Sequence, residues 1–249
     1  MKIIFLVGAF YKGVFEIINK SHNDYKIILH KSNPRHINNL IIESSCIENI
    51  DIIENSTELL EKLSEFSPDV IISTGWRRIL KAPFFNTFNN IKLINVHPAI
   101  LPDFKGYHTE PYVIMNNEKE HGITAHFLTE ELDAGDIILQ MRIPINEFST
   151  VKSIKEDIEN IAPTFFDQLF QLIEKENIPS FKQSGVTKII APKRTPKDSE
   201  LNPKETLEKL YHMIRACDPD DYPAYFLHNN ERVFIRLWTE RSKTNNFEI

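Results

Sequence analysis

The fold is best understood from residues 92–97, which read Lys92-Leu93-Ile94-Asn95-Val96-His97 and are followed by Pro98. Branched apolar residues dominate this run, a composition typical of a buried β-strand. Comparable runs occur at residues 3–8, 25–29, 69–75, 122–129 and 137–145. A helix-like stretch, residues 56–66, precedes the run at 69–75. Short apolar runs separated by helices predict an α/β fold, an open Rossmann-like, mostly parallel sheet with helices on both faces.

A long amphipathic helix is predicted from about Thr150 to Lys175. Threonine is a favourable residue at a helix N-cap, and Thr150 precedes the first apolar position. The apolar residues of this stretch recur at steps of three or four and would form one buried stripe. They are Ile154, Ile158, Ile161, Phe165, Leu169 and Ile173.

The C-terminal quarter of the chain is predicted to form a small appendage. Residues 191–198 are polar and contain prolines, a composition typical of a linker. A helix is expected over residues 203–217 and a β-hairpin over residues 224–238, with its turn at Asn229-Asn230, because asparagine tolerates the positive φ of tight turns. We therefore expect a main α/β domain at residues 1–190. A C-terminal helix and β-hairpin subdomain would occupy residues 191–249.

The composition fits a folded globular chain and excludes some classes of function. The sequence has 249 residues, of which 41% are hydrophobic and 26% charged, as in ordinary soluble domains. Its net charge of −6 argues against a dedicated nucleic-acid-binding protein, whose binding surface is usually basic. Cys46 and Cys217 are the only cysteines, so no disulfide framework is expected. The N-terminal apolar run is too short for a membrane span and lacks a signal-cleavage site, so we expect a cytoplasmic protein without a membrane partner.

Polar residues emerge from the apolar runs at places where a ligand could bind. Asn95 and His97 are two residues apart on a predicted strand, so their side chains share one face at its carboxyl end. Ligands of open α/β sheets bind beyond the carboxyl ends of strands. Each residue also has a structural interpretation: His97 could be a satisfied strand-end histidine, Asn95 could cap a loop, and Asp133-Ala134-Gly135 could be an ordinary turn.

Three ordered motifs give these residues a more specific meaning. Asn-x-His-Pro-x-x-Leu-Pro begins at Asn95, Gly-x-Thr-x-His begins at Gly122, and Leu-Asp-x-Gly-x-Ile-Ile begins at Leu132. Together they resemble the folate-dependent formyltransferase family, most strongly over residues 67–140. The family includes methionyl-tRNA formyltransferase, glycinamide ribonucleotide formyltransferase and the sugar-nucleotide N-formyltransferases.

The resemblance implies an enzyme that moves a formyl group from N10-formyltetrahydrofolate, used as a co-substrate, to a free amine without a metal ion. Asn95, His97 and Asp133 would form the catalytic cluster. The amide of Asn95 suits oxyanion binding because it donates hydrogen bonds and cannot ionise. His97 titrates near neutral pH and can act as a base or a donor. Asp133 can hold His97 in its charged form or relay protons through water.

The resemblance also implies a folate site made mostly of backbone groups. One wall would be the loop at residues 75–80, and the second would be the loop that ends at Asp133. The candidate folate-binding residues are Trp76, Arg78, Ile79, Leu80, Thr129, Glu130 and Leu132. Trp76 could instead be a core residue. Thr124 and His126 are expected to support Asp133, although His126 could have a packing role alone.

The identity of the amine is less determined by the sequence. Residues 8–13 lack the glycine-rich phosphate turn of the glycinamide ribonucleotide enzymes. The segment after residue 191 is short for the C-terminal barrel of the methionyl-tRNA enzymes, and the net charge is negative. A sugar nucleotide fits best, with dTDP-4-amino-4,6-dideoxyglucose as the first hypothesis and a role in surface-polysaccharide synthesis. The candidate substrate-binding residues are Phe10, Tyr11, Arg77, Lys105, Tyr107 and His108, and Lys105 could simply be solvated.

A homodimer is expected because an isolated hairpin is marginally stable in water. The predicted hairpin is apolar enough to bury a surface against a second copy. The residues that make it so are Phe226, Val233, Ile235 and Trp238.

Two interpretations from other classes remain open on the sequence alone. A metal-dependent hydrolase could use His97, His108, His126 and Asp133, although their spacing gives no recognised zinc signature. A catalytically silent folate- or nucleotide-binding module is the second, and the intact catalytic set argues against it.

Overall fold

The computed structural model describes residues 1–9, 11, 14–15, 17–18, 24–44 and 49–237, apart from the side chains of residues 35–37 and 44. Phe10 and Trp238, both named above, lie outside the described residues. The chain divides into two compact units. The first unit comprises residues 1–105, 122–142 and 158–188, and the second comprises residues 106–121, 143–157 and 189–249.

The centre of the fold is a seven-stranded sheet with the strand order β3-β2-β1-β4-β5-β7-β8. Its strands are β1 (Lys2–Val7), β2 (Asp24–His30), β3 (Ile50–Ile53), β4 (Val70–Thr74), β5 (Lys92–His97), β7 (Glu120–Phe127) and β8 (Ile137–Pro144). The pairs from β3 through β5 are parallel. The open, mostly parallel sheet is therefore confirmed.

β7 is the exception to the parallel pattern, since it pairs with β5 in the antiparallel direction. The prediction of a mostly parallel sheet did not specify which strand would run in the opposite direction. The direction of a strand depends on where the preceding connection returns to the sheet, and an apolar run carries no information about that.

Six named α-helices accompany the strands in the part of the chain that the structure describes. They are α1 (Arg35–Ser44), α2 (Ser56–Phe66), α3 (Ala82–Thr87), α4 (Thr109–Met115), α5 (Val151–Ile173) and α6 (Leu207–Arg215). α2 has the predicted bounds because Asn55 caps it, accepting the N–H groups of Thr57 and Glu58 through its side chain. α5 begins as expected, with the Thr150 hydroxyl accepting the N–H of Ser153 at 3.1 Å.

The core of the first unit lies against β1, β2 and β4. Ile4, Leu6 and Ile28 are fully buried there, together with Leu63 of α2 and Phe84 of α3. Strands that are apolar on both faces need helices on both sides of the sheet, which explains their continuous hydrophobic sequences.

The second unit contains the predicted C-terminal hairpin, formed by β10 (Ala224–His228) and β11 (Glu231–Ile235). Its turn residues Asn229 and Asn230 have φ values of 48° and 67°, as the turn chemistry predicted. α6 is shorter than the helix predicted over residues 203–217. The division of the chain into domains 1–190 and 191–249 stays a prediction.

The segment predicted as a linker is ordered. Short strands lie at Phe104–Gly106 (β6) and Ile189–Ala191 (β9), and a 3-10 helix follows at Pro196–Ser199. Thr195 and Asp198 form a capping box at its start. Arg194 is buried and donates to the carbonyl of Asp198 and the hydroxyl of Ser199. Part of the segment predicted as a linker therefore has regular structure, because a capping box orders its polar residues, and its role as a domain boundary stays a prediction. Across the described part of the chain, no helix is both long and apolar enough to cross a membrane.

Candidate active site

The site begins at the carboxyl end of β5. Asn95 and His97 lie on one face of this strand, and β7 aligns a second pair of polar residues with them. Asn95 is the register partner of His126, and His97 is the register partner of Thr124. Side chains directly opposite each other on antiparallel strands are close neighbours, so the first two motifs of the sequence meet across one strand pair.

Asp133 reaches the same place from the turn that connects β7 to β8. Its backbone has φ 48°, a left-handed conformation that aspartate adopts more readily than most residues. Gly135 follows at a point with no room for a side chain, since a Cβ there would lie 1.8 Å from the carbonyl oxygen of Phe127. The glycine of the third motif is thus required by this close approach.

Asn95, His97 and Asp133 converge in the structure. The Nδ1 atom of His97 lies 3.8 Å from Oδ2 of Asp133. The amide nitrogen of Asn95 lies 3.4 Å from Oδ1 of the same carboxylate. His97 and Asp133 are both buried, at 5% and 8% exposure. Asn95 and His97, which are far from Asp133 in the sequence, therefore both lie next to its carboxylate.

The protonation state of His97 follows from its two neighbours. Its Nε2 atom lies 3.0 Å from the backbone carbonyl of Phe104. A carbonyl only accepts, so Nε2 carries a hydrogen. Burial lowers the pKa of His97, and the Asp133 carboxylate opposes that shift. In the neutral imidazole, the lone pair on Nδ1 faces Asp133, and this atom is ready to take up a proton.

His126 orients the amide of Asn95. Its Nδ1 lies 2.8 Å from the carbonyl of Phe127, so Nδ1 carries the hydrogen and Nε2 of the neutral ring is an acceptor. The Asn95 amide nitrogen lies 3.1 Å from that Nε2 atom. The two N–H bonds of Asn95 thus point at His126 and Asp133, and the 3.4 Å bond to Asp133 is the weaker.

Thr124 has a different partner from the expected one. Its hydroxyl donates to the carbonyl of Ala99 at 2.6 Å and accepts the N–H of Leu101 at 3.4 Å. Gln140 donates to the Leu101 carbonyl at 2.8 Å and to Thr124 at 3.1 Å. These bonds hold the Pro-rich loop that follows His97. The sequence interpretation assigned Thr124 to Asp133 and overlooked Gln140.

The expected folate loop has backbone groups available for a ligand. Within the described ranges, no backbone N–H or C=O of residues 76–80 has a hydrogen-bond partner. Ile79 is 78% exposed. Trp76 is half-buried, packs against the core of the first unit and lies edge-on to His30 at 6.0 Å. Arg78 donates to the Ser32 hydroxyl at 2.6 Å. Leu80 packs partly against the same core.

The loop that ends at Asp133, expected to form the second wall of the folate site, is exposed. Thr129 and Glu130 lie at the surface, and the Thr129 hydroxyl donates to the carbonyl of Glu131 at 2.9 Å. Leu132, next to Asp133, is 49% exposed. An apolar side chain left open beside a buried carboxylate suits contact with a flat organic ligand.

The candidate acceptor-binding residues have varied environments. Arg77 is exposed and Lys105 half-buried. Tyr11 is buried with its ring 6.3 Å from that of Phe166, which is a packing environment. Tyr107 and His108 belong to the second unit, and their role in binding stays a prediction. The His108 ring lies 5.4 Å from that of Tyr222.

Gln183 is a further residue that the sequence interpretation missed. Its amide nitrogen donates to the carbonyls of Asp133 and Gly135, each at 2.8 Å. A single glutamine in a polar stretch gives no sequence signal. Over the described ranges of the chain, no group of three or more His, Cys, Asp and Glu side chains is arranged to hold a metal ion.

Known proteins resemble this chain in sequence and in fold. The family described as Formyl transferase matches residues 17–168. A methionyl-tRNA formyltransferase from Halalkalibacterium halodurans is 30% identical over 183 residues, which is 73% of this chain and 56% of that protein. The chain thus spans about half the length of that curated relative, and covers 41% and 12% of two others.

Two solved structures share the fold over nearly the whole chain. A 4-N formyltransferase from Francisella tularensis has a TM-score of 0.80 at 19% identity, covering 96% of this chain and 98% of that one. The sugar 3N-formyl transferase WlaRD, solved in the presence of dTDP and 5-N-formyl-THF, has a TM-score of 0.73 at 21% identity, with 94% and 84% covered. At these identities the likeness concerns the fold. The family match spans more than half of the sequence and includes all three motifs, and the chain therefore belongs to the formyl transferase family.

Proposed function

We propose that the protein transfers a formyl group from N10-formyltetrahydrofolate to the amine of an amino-deoxysugar nucleotide. One observation carries this proposal: the side chains of Asn95 and His97 both lie close to the buried carboxylate of Asp133. An amide donor, an imidazole and a carboxylate are the groups that formyl transfer to an amine requires. Family membership supports the reaction type.

The backbone of residues 76–80 fits the folate. Its peptide groups have no partner within the described ranges, and a pterin ring presents several donors and acceptors along its edge. We assign Trp76, Arg78, Ile79 and Leu80 to one wall, and Thr129, Glu130 and Leu132 to the other. The folate supplies the activated formyl carbon.

His97 accepts the proton that the attacking amine must lose. The amine nitrogen bonds to the formyl carbon and the C=O electrons move to oxygen, giving a tetrahedral intermediate. The bond from that carbon to its donor nitrogen then breaks as the carbonyl re-forms, so the amine loses one proton and the donor nitrogen gains one. The Nδ1 atom of His97 is the available base because Nε2 is held by Phe104. Asp133, at 3.8 Å from Nδ1, stabilises the imidazolium that forms.

Asn95 stabilises the negative charge that develops on the formyl oxygen. The N–H that faces Asp133 at 3.4 Å makes the weaker of its two bonds, and this is the donor we assign to the oxygen. The N–H held by His126 keeps the amide group in position. A pre-oriented donor in a water-poor site needs little reorganisation during the reaction.

A sugar nucleotide is the acceptor that the observations support best. The likeness to the 4-N formyltransferase covers 96% of this chain and so extends over the C-terminal elements. WlaRD was solved with dTDP, which supports a thymidine nucleotide, and dTDP-4-amino-4,6-dideoxyglucose is the specific hypothesis. Phe10, Tyr11, Arg77, Lys105, Tyr107 and His108 stay the candidate contacts. A role in surface-polysaccharide synthesis and a cytoplasmic location also stay predictions.

Glycinamide ribonucleotide and methionyl-tRNA are the alternative acceptors. Gly8 lies against Gly75, and a Cβ added to Gly8 would be 2.1 Å from the carbonyl oxygen of Gly75. The backbone of Gly75 therefore fills the space beside the end of β1.

A metal-dependent hydrolase is the alternative from another class. Nε2 of His97 and Nδ1 of His126 lie against backbone carbonyls, and Nε2 of His126 lies against the Asn95 amide nitrogen, so three of these four ring nitrogens already have hydrogen-bond partners.

A panel assay separates these functions. Purified protein and N10-formyltetrahydrofolate are incubated with amino-sugar nucleotides, glycinamide ribonucleotide or methionyl-tRNA, and formylated products are detected by mass spectrometry. We expect turnover with a dTDP-amino sugar, unchanged after chelation. Turnover with another acceptor alone would overturn the sugar-nucleotide assignment. Absence of any formylated product, with hydrolysis of a substrate that stops on chelation and returns with added metal, would favour the hydrolase.

The C-terminal hairpin supports the proposal of a homodimer. Val233 and Phe234 of β11 are 40% and 57% exposed, and a hairpin of this size is marginal without a partner. Light scattering at micromolar concentration should give twice the mass of one chain. A monomer under those conditions would contradict the proposal.

A further inference from the structure

We infer that Gln183 is a positioning residue that holds the catalytic turn at residues 133–135 in its reactive conformation. This inference rests on the proposed function of Asp133. Gln183 lies 50 residues from Asp133 in sequence, outside the three motifs. It would act on the reaction through the backbone of the turn, without touching either substrate.

The contacts of Gln183 define the orientation of its amide group. Its Nε2 atom donates two hydrogen bonds of 2.8 Å, one to the carbonyl of Asp133 and one to the carbonyl of Gly135. Both acceptors are backbone oxygens, so the reversed amide would place oxygen against oxygen. The Gln183 side chain therefore joins both ends of the turn with its two N–H bonds.

The turn needs an external restraint. Asp133 has φ 48°, a conformation that costs energy for any residue with a Cβ and persists when its surroundings enforce it. On its other side, the turn is limited by the approach of Gly135 to the Phe127 carbonyl. Gln183 supplies the matching restraint through the two carbonyls.

A short backbone pairing brings Gln183 to this position. Phe181 and Ile137 exchange hydrogen bonds of 2.8 Å and 2.9 Å. Ile137 is the first residue of β8, directly after the turn. Because Gln183 is two residues beyond Phe181, the pairing fixes its distance from the turn, although Phe181 itself is exposed.

Displacement of the turn would affect the other catalytic residues as well. The Phe127 carbonyl that limits Gly135 also accepts the Nδ1–H of His126. The N–H of Phe127 donates to the carbonyl of Asp136 at 2.9 Å. His126 in turn holds the amide of Asn95. Gln183 thus belongs to a continuous set of contacts that reaches the Asp133 carboxylate and the Asn95 amide.

Substitution of Gln183 tests the inference. Gln183→Met keeps the length of the side chain and removes both donors, whereas Gln183→Lys keeps donors on a chain of similar reach. We expect Gln183→Met to lower kcat by about 10- to 100-fold, as sub-ångström to ångström displacements of catalytic groups do. KM for both substrates should change by less than about threefold, and Gln183→Lys should recover part of kcat. Gln171→Met is the matched control, because Gln171 bonds only to Asp167 on exposed α5 positions.

A second measurement separates this inference from the proposed function. The imidazole of His97 is titrated by NMR in histidine-labelled protein. Because Asp133 raises the pKa of His97 against the effect of burial, a displaced carboxylate should lower that pKa further in Gln183→Met, whereas Gln171→Met should leave it unchanged. This readout requires no turnover. If the wild-type protein transfers no formyl group, the proposed function fails. If Gln183→Met keeps the wild-type kcat and His97 pKa, only the role of Gln183 fails.

Discussion

Two polar clusters of this protein, each built around a buried aspartate, differ in the lengths of their contacts. In the second unit, Lys155 of α5 forms an ion pair with Asp218, and Asp218 also accepts the N–H groups of Asp220 and Asp221 at 2.9 Å and 3.0 Å. In the first unit, the contacts of Asp133 with His97 and Asn95 are 3.8 Å and 3.4 Å long.

The difference shows how one chain uses buried charge for two purposes. The carboxylate of Asp218 accepts several short hydrogen bonds. Burial acts to raise the pKa of Asp218, but the Lys155 ammonium and the backbone N–H groups of Asp220 and Asp221 hold that pKa low. Nearby, burial raises the pKa of Glu110, and the charge of Lys155 opposes this. Such pairing stabilises the fold. In the proposed catalytic cluster, the contacts of Asp133 with His97, His126 and Asn95 are longer, at 3.8 Å, 3.5 Å and 3.4 Å. The comparison predicts loss of rate from one cluster and loss of stability from the other.

The largest effect is expected from the catalytic cluster. Asn95→Ala should lower kcat by about 100-fold or more, since loss of one oxyanion donor costs about 2.7–4 kcal/mol of barrier. Asp133→Ala should lower kcat by about 100-fold or more because the imidazolium of His97 loses the carboxylate that stabilises it. Formylation rates at saturating substrate measure this. Asn90→Ala, an exposed asparagine, is the control and should keep full activity. Near-normal turnover of either variant would remove that residue from the mechanism.

The paired cluster should respond in stability. Lys155→Met leaves Asp218 and Glu110 without their cation, a change that costs about 3–5 kcal/mol for a buried pair. The Lys155 side chain is 43% exposed, so we expect about 1–3 kcal/mol here. Urea unfolding gives the value.

Lys152→Met on the same helix is the control for this change. The pair of Lys152 with Asp220 is 3.4 Å long and more exposed, so its loss should cost less than about 1 kcal/mol. Equal losses from the two variants would show that the Lys155 cluster does not stabilise the fold more than a surface pair does.

The pH dependence of activity should report His97. Burial lowers the pKa of His97 below 6.5, and the proposed base is the neutral ring. The acid limb of kcat/KM should therefore inflect below pH 6.5, and Asp133→Asn should move it further down because the opposing carboxylate charge is lost. Profiles recorded from about pH 5 to 8 test this. An inflection above 6.5 would contradict the role of His97 as a buried neutral base.

The same shift has a consequence for stability. Because the folded pKa of His97 is lowered, the unfolded chain binds more protons once the pH falls below 6.5. The contribution of His97 to stability is therefore present above pH 6.5 and is lost as the pH falls through the lowered folded pKa. His97→Asn should remove this dependence from the unfolding free energy.

Local sequence patterns predicted the parts of the molecule that depend on neighbours along the chain. The bounds of α2 and β5 follow from a cap and an apolar run, and the hairpin turn follows from two asparagines. The trio proposed as catalytic was assigned through a family resemblance whose three motifs keep a fixed order, and its catalytic role stays a prediction. Contacts over long separations were missed, as with Gln183, 50 residues from Asp133. The true partner of Thr124, 25 residues away at Ala99, was missed for the same reason.

The smallest effect should come from an ion pair beside the catalytic cluster. Lys188 lies 3.1 Å from Asp103 and 5.9 Å from the ring of Phe104, whose carbonyl holds His97. The side chains of Lys188 and Asp103 are 45% and 35% exposed. Lys188→Met should therefore lower the free energy of unfolding by less than about 1 kcal/mol. The backbone bond from Lys188 to the Asp103 carbonyl, at 2.9 Å, is unaffected by the change, so kcat should stay within about twofold. A tenfold fall in kcat would mean that the Lys188 charge, rather than the backbone, keeps the Phe104 carbonyl against His97.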